Sequence, residues 1–364
     1  DVLIASYSLL RREDALLTGV KWATVVLDEA QAIKNVAAKR SKAAMALDAG
    51  FRLITTGTPI ENHLGELWNL FRFINPRLLG SWRRFQERFA VPIERFHDRE
   101  AADRLRRIIR PFILRRTKSQ VLDSLPPKTE ITLSVELGDR ERAFYESLRR
   151  GALERLDSDP ESAEKKRFQI LAEIMRLRRA CCSPGLVQGG AGLPSAKQEQ
   201  FCVTLGELVE NGHKALVFSQ FVDHLSIIRN HLEKSGYAYQ YLDGSTPAKA
   251  RKKAVEDFQS GQGDVFLISL KAGGLGLNLT AADYVIHMDP WWNPAVEDQA
   301  SDRAHRIGQD KPVTVYRLVA ANTIEEKIVQ LHRDKRDLAD NLLAGSDQAA
   351  TLDMEEIMRL LRDE

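Results

Sequence analysis

The stretch "WATVVLDEAQAIKN", Trp22 to Asn35, decides how the rest of the chain is read. The apolar run Val25-Val26-Leu27 ends in two adjacent carboxylates, Asp28 and Glu29, with the Gln31 amide just beyond. Such a run suits a strand buried in a parallel sheet. The acids at its end have two readings. Asp28 caps a following helix, for which "AQAIKNVAAKRSKAAMAL" is good material. Alternatively, the pair carries chemistry. The stretch by itself leaves both open.

Outward from it, the strand–helix alternation continues. "DVLIASYSLL" is a strand-like run ahead of it, and "FRLITTGTP" is another strand after a helix that runs to Leu47 and stops at Gly50. "NHLGELWNLFRFINP" has Leu64, Leu67, Trp68 and Phe71 on one helical face. Aromatic- and arginine-rich helix follows, closing in "RLRRIIRPFILRRTKSQVLDSLPPKTE". Its breaks at Pro111 and Pro126-Pro127 mark a linker. From Glu136 to Cys182 the pattern is helical, with Phe168, Leu171, Ile174 and Met175 on one stripe, and "SPGLVQGGAGLPS" is a Gly/Pro loop. Alternation then resumes: "KALVFSQF", "YAYQYLD", "DVFLISL", "DYVIHMD" and "VTVYRLV" read as five strands of a second parallel sheet. A closing helix is expected from Asp353, with Met354, Ile357, Met358 and Leu361 on one face.

Composition narrows the class. The 364 residues, 43% hydrophobic and 29% charged, suit an ordinary globular chain of roughly two or three domains. No apolar run approaches the ~18–20 residues that span a bilayer, so no membrane role is expected. Cys181, Cys182 and Cys202 match no zinc spacing and no disulfide framework, and they read as buried or inert thiols. The formal charge of +2, from 53 basic and 51 acidic residues, excludes a uniformly basic nucleic-acid binder but not local basic surfaces.

Two further stretches carry candidate chemistry. "ISLKAGGLGLNL", Ile268 to Leu279, ends a strand in a Gly-rich turn whose amides can approach phosphates. A tight strand-to-helix turn explains it equally. In "MDPWWNPAVEDQASDRAHRIGQ", a helix begun by Pro294 sets Gln299, Arg303 and Arg306 on one face. Two arginines a turn apart suit triphosphate charge; a solvated surface helix is the other reading. Trp291 and Trp292 are either core residues or stacking surfaces for nucleic acid.

Taken in order, "LDEAQ", "TTGTPIEN", "ALVFSQF", "SLKAGGLGLNL" and "DQASDRAHRIGQ" resemble the motifs of helicase superfamily two. "DPWWNP" and "LRRTKSQVLDSLPPKTE" narrow the resemblance, over nearly the whole chain, to the Swi/Snf-type (Snf2-like) DNA translocase ATPases. That implies an α/β fold of two RecA-like parallel-sheet lobes with helical insertions. The implied domains are the first lobe at 1–60, insertions at 61–115 and 136–194, a linker at 116–135, the second lobe at 195–340 and a packing helix at 341–364.

The resemblance implies ATP and Mg²⁺ as cofactors. Asp28 would hold the metal together with Glu29, and Glu29 would orient or deprotonate the attacking water. Gln31 stands where many members have histidine. Thr56, Gly57 and Thr58 would couple nucleotide state to DNA. Arg303 and Arg306 would be arginine fingers, supported by Gln299, with Gly274 and Gly276 close to the nucleotide. DNA contacts would come from Thr58, Ser219, Gln220, Ser269, Lys271, Gly273 and Trp292, and the linker's Arg115, Arg116 and Lys118 would touch DNA or a neighbouring domain. Double-stranded DNA is the expected partner, with RNA polymerase or other DNA-bound proteins as further ones. The expected setting is the bacterial cytoplasm, on the nucleoid, with a nucleus as the alternative.

One departure stands out: no G-x-x-x-x-G-K-[ST] phosphate loop occurs. In the family it precedes the "DVLIASYSLL" region. The expectation is therefore a piece of a longer protein, N-terminally truncated in its first lobe, with an exposed sheet edge and negligible ATP hydrolysis alone. Two other readings remain: a strand-separating helicase of the same superfamily, and a non-hydrolysing scaffold that binds DNA or RNA polymerase.

Overall fold

The computed structural model describes the chain except residues 58–62, 97, 117, 123, 159–162, 274–275 and 332–364. The chain divides into two compact units, one of Asp1–Leu114 and one of Arg115–His332. The expected closing helix lies outside the described residues.

In the first unit, β1 (Lys21–Leu27) and β2 (Asp48–Ile54) pair in parallel, with Leu27 opposite Ile54. Val25, Leu27 and Ile54 pack with Ala30, Ile33, Ala44, Leu47, Leu70 and Phe73. Val26, Phe51 and Leu53, by contrast, are exposed. The helix Leu64–Ile74 buries Leu64, Leu67, Trp68 and Phe71 in a second cluster, with Phe85, Phe89 and Leu105.

Two elements differ from the expectation. The strand-like "DVLIASYSLL" gives a helix, Tyr7–Arg12, because the Ser6 hydroxyl accepts from Leu9 N at 3.2 Å and caps its start. The long helix expected after Glu29 is split into a single turn, Ala30–Ile33, and a helix, Lys39–Ala46. Asn35 makes the break: its Oδ1 accepts from Ala37 N at 2.9 Å, a local turn that competes with helix.

The second unit carries a six-stranded, all-parallel sheet in the order β3-β8-β7-β4-β6-β5. Its strands are β3 (Lys128–Val135), β4 (Ala215–Ser219), β5 (Tyr239–Leu242), β6 (Val265–Ser269), β7 (Tyr284–His287) and β8 (Val313–Ala320). Alternating residues build a core on each face. Leu216, Phe218, Phe266, Ile268 and Val285 point into one, and Ala215, Val217, Val265, Leu267 and Ile286 into the other. Double coverage explains why β4 and β6 are buried throughout.

β3 was not expected: residues 116–135 read as linker. Lys128–Val135 pairs with β8 along its whole length, Val135 opposite Ala320. Its polar alternation is that of a half-exposed edge strand, and Pro126-Pro127 precede it rather than interrupt it. The stripe on the helix Ala163–Cys182 also differs. Ile170, Ile174, Leu177 and Cys181 are buried, whereas Phe168 is 74% exposed, with Leu171 and Met175 also at the surface.

Candidate functional site

In the first unit β1 delivers Asp28 and Glu29 to the carboxyl end of the sheet, both exposed. Asp28 Oδ1 accepts from the Thr55 hydroxyl at 2.5 Å and from Glu29 N at 3.0 Å. Glu29 takes up a left-handed backbone, φ 49° and ψ 51°, which turns the chain so that Ala30 N reaches Thr55 O at 3.0 Å. Gln31 Nε2 donates to Glu29 Oε2 at 2.5 Å, and Thr56 Oγ1 donates to Gln31 Oε1 at 2.9 Å. The ends of β1 and β2 are thus joined through side chains: Asp28 to Thr55, and Glu29 through Gln31 to Thr56. Tyr7 donates its hydroxyl to Asp28 O at 2.8 Å. Burial, then the Asp28 and Glu29 charges, push that phenol up to about 12. Among the described residues both hydrogen bonds to the Asp28 carboxylate fall on Oδ1, and the neighbouring Glu29 adds a second set of hard oxygens, a donor set that suits Mg²⁺. Gly57 follows, exposed; Thr58 lies outside the described residues.

In the second unit the chain order reverses around β4: β5 and β6 lie to one side, β7 and β8 to the other. Ligands of open parallel sheets bind at the carboxyl ends beside such a reversal. There the structure places Ser219 at the end of β4 with Gln220 after it, Ser269 at the end of β6 with Lys271 just beyond, and Asp289 after β7. Ser219 and Ser269, expected as DNA contacts, are only 1% and 3% exposed. The Ser219 hydroxyl faces inward, donating to Asp289 and accepting from Phe221 N. It holds loops together rather than offering itself to a ligand in this conformation. Gln220 is half-buried, and Lys271 is exposed on the short helix Leu270–Gly273. Gly274 is outside the described residues.

The centre of this edge is a residue that the sequence reading did not single out. Arg178, fully buried on the helix Ala163–Cys182, donates to Pro290 O at 2.5 Å and to Gln220 Oε1 at 3.2 Å. Its guanidinium lies 3.8 Å from Asp289 and 5.3–5.7 Å from the rings of Phe221, Trp291 and Trp292. Trp292 therefore packs over an arginine and into the core, half-buried, instead of standing free for DNA. Burial drives the Asp289 carboxyl up to about 6, a rise that Arg178 and Ser219 oppose. Trp291 N donates to Glu297 Oε1 at 2.7 Å, and the other oxygen of Glu297 holds Arg317 Nε at 2.8 Å. Arg178, Asp289, Glu297 and Arg317 sit in helical or strand patterns that look solvated. Only the run "DPWW" hinted at them.

The arginine stretch departs from its expected helix. The helix Pro294–Ser301, capped by Asn293, carries Gln299 half-buried and stops before Arg303 and Arg306. The two arginines follow in turns and share no helical face. Arg303 is 6% exposed, while Arg306 is exposed and donates to Leu277 O at 3.3 Å. Leu279 N donates to Arg303 O at 2.9 Å, and Gln309 Nε2 spans Thr280 O, Ala282 O and Ala304 O. The far end of the Gly-rich loop is thereby sewn onto "RAHRIGQ". Gly276 is exposed at φ +68°, a left-handed backbone that favours glycine, with open space where a Cβ would stand. Lys118 bonds Asp302 at 2.7 Å and His305 O at 2.8 Å, and Arg115 and Arg116 are exposed. Among the described residues no helix is long and apolar enough to cross a membrane.

Residues 1–186 match the family model of the SNF2-related domain, and residues 196–308 that of the helicase conserved C-terminal domain. The chain is 41% identical over 362 residues to an uncharacterized ATP-dependent helicase of Mycoplasma pneumoniae, covering 99% of this chain and 34% of that protein. It is 35% identical over 379 residues to the SWI/SNF-related matrix-associated actin-dependent regulator of chromatin subfamily A member 1 of Homo sapiens, covering 100% of this chain and 36% of that one. The chain thus spans about a third of the length of these relatives. Its fold is similar to the Sulfolobus solfataricus SWI2/SNF2 ATPase core in complex with dsDNA, with a TM-score of 0.54 at 36% identity over 98% of this chain and 76% of that one. The α/β architecture is that of RecA-like lobes with helical insertions.

Proposed function

The chain belongs to the SNF2-related domain family, and we propose that, in the protein that contains it, these residues form the motor of an ATP-driven translocase on double-stranded DNA. The observation that carries this reading is the side-chain linkage between the ends of β1 and β2. It holds two carboxylates at fixed orientation on an exposed sheet end, bonded to the "TTGT" stretch.

ATP with Mg²⁺ supplies the anhydride to be cleaved. Asp28, with Glu29 beside it, offers oxygens to the metal; Glu29 orients the attacking water and takes its proton. The Gln31 amide fixes the Glu29 carboxylate, and Thr56 passes the state of that network toward Gly57 and Thr58. In this reading Arg306 and Arg303 would supply positive charge for the γ-phosphate, with Gln299, Gly274 and Gly276 as further nucleotide contacts. Thr58, Gln220, Lys271, Gly273 and the segments that carry Ser219, Ser269 and Trp292 follow the DNA backbone. Phosphate tracking carries little sequence information, so the motor moves along duplexes of any sequence and displaces or remodels bound proteins, RNA polymerase among them. Its setting is the bacterial cytoplasm, on nucleoid DNA. The 364-residue chain contains no G-x-x-x-x-G-K-[ST] sequence, and its own turnover is expected to be negligible.

The test compares ATP hydrolysis by the intact protein with duplex DNA, single-stranded DNA and RNA. Stimulation by duplex DNA above the other two supports the proposal. Preference for single strands replaces it with strand separation, and no hydrolysis under any condition replaces it with a scaffold role.

A further inference from the structure

Three side chains from separate elements meet inside the second unit. Cys182 ends the helix Ala163–Cys182, His224 lies in the first turn of the helix Val222–Ser235, and Asp289 follows β7. Cys182 and His224 are fully buried and Asp289 is 3% exposed. A ligating atom from each lies within 4.8 Å of the other two. We infer that Cys182, His224 and Asp289 form a zinc site that clamps the "SQF" and "DPWW" loops to the helix behind them.

The observation that separates this from ordinary core packing is His224. Both of its ring nitrogens are buried, and neither has a hydrogen-bond partner among the described residues. A histidine kept only for its shape would be replaceable by leucine; one kept with both nitrogens unbonded needs a partner that side chains do not provide. The neighbouring thiols behave differently. The Cys181 thiol lies beside Thr323, whereas that of Cys182 faces the histidine and the carboxylate.

Donor chemistry points to zinc. One thiolate, one imidazole and one carboxylate form a mixed N/S/O set, and tetrahedral zinc with ordinary bond lengths sets its ligand atoms about 3.3–3.6 Å apart. The three ligand atoms, within 4.8 Å of one another, must draw together to reach that spacing. The fourth position is left for water. Burial keeps the Cys182 thiol protonated and holds His224 neutral, its pKa brought down to about 3. Zinc takes the imidazole as it stands and displaces the thiol proton to solvent. Of the two buried cations nearby, Lys197 is bonded to Glu325, and Arg178 would share Asp289 with the zinc. Asp289 keeps its bond from Ser219, which orients it as an outer-shell partner does for a metal-bound carboxylate. This clamp is independent of nucleotide chemistry.

The test is metal analysis of the chain purified under reducing conditions without chelator, followed by cobalt replacement. About one zinc per chain is expected, and the cobalt form should show a thiolate-to-cobalt charge-transfer band. Cys182→Ser should abolish the band, whereas Cys181→Ser and Cys202→Ser should keep it, and zinc should raise the melting temperature of metal-free wild type. The wild-type cobalt spectrum and melting shift decide the matter even where Cys182→Ser fails to fold. Protein isolated without zinc that shows neither band nor melting shift overturns the site. So does a band that survives in folded Cys182→Ser or His224→Leu.

Discussion

Glu29 holds its carboxylate through a left-handed backbone that costs a non-glycine residue about 1–2 kcal/mol. Strain of that kind persists where surrounding structure over-determines it, here the Gln31 and Thr55 hydrogen bonds. Glu29→Gln is expected to lower DNA-stimulated turnover of the intact protein by roughly 10²–10⁴-fold while DNA binding is kept, because the proposed general base is lost and no proposed DNA contact is. Steady-state kinetics beside a binding titration check it. Tyr7 reports on the same acids. Its phenol, raised to about 12, keeps its proton in the folded state after an unfolded tyrosine has lost it. The stability it contributes is present below pH 10 and is lost as pH rises through about 12. A difference titration of wild type against Tyr7→Phe should show this late phenol. Neutralising Asp28 and Glu29 should move it part of the way back; an unmoved midpoint would leave burial as its only cause. At this scale the carboxylates were legible in sequence because they interrupt an apolar run. Ser219 and Ser269 were legible as positions but not as roles, since only the packing of loops buries both and turns the Ser219 hydroxyl toward Asp289. Arg178 was not legible: a basic residue in a basic helix reads as solvated until "DPWW" closes over it.

At the scale of elements, the helix Ala163–Cys182 shows what periodicity leaves undecided. It carries apolar residues on more than one side, and the sequence offers Phe168–Leu171–Met175 as readily as Ile170–Leu177–Cys181. Ile174 belongs to both stripes and is fully buried; Phe168 is mostly exposed. Ile174→Ala should therefore destabilise the chain by about 2–5 kcal/mol. Phe168→Ala should stay within about 0.5 kcal/mol. Denaturant midpoints of the two variants measure the difference, and equal losses would place the buried face wrongly. β3 teaches the complementary lesson. An edge strand needs only one apolar face, so "KTEITLSV" lacked the continuous run that made β4 and β6 visible. The helix before Arg303 ended early for a reason no local rule supplies: Leu279 and Gln309 claim the backbone of "RAHR" for the glycine loop.

For the whole molecule, the formal charge of +2 leaves room for local basic surfaces, and the proposed DNA affinity would rest on where arginines and lysines sit. Affinity of the intact protein for duplex DNA is expected to fall steeply with salt, roughly 10³–10⁵-fold between about 50 and 200 mM if six to ten phosphates are engaged, and nearly alike for unrelated sequences. Fluorescence titrations at several salt concentrations check this, and a flat dependence would contradict phosphate tracking. The sequence by itself determined the parallel α/β class, the order of the motifs, the family resemblance and the two acids at a strand end, because apolar runs, glycine turns and charge interruptions are local. Only the tertiary structure decided which residues those motifs lean on. The Arg178 cage, the Ser219–Asp289 bond and the meeting of Cys182 with His224 join residues 42 to 114 positions apart. Such pairings are fixed by how strands order themselves in a sheet, and no local spacing encodes them.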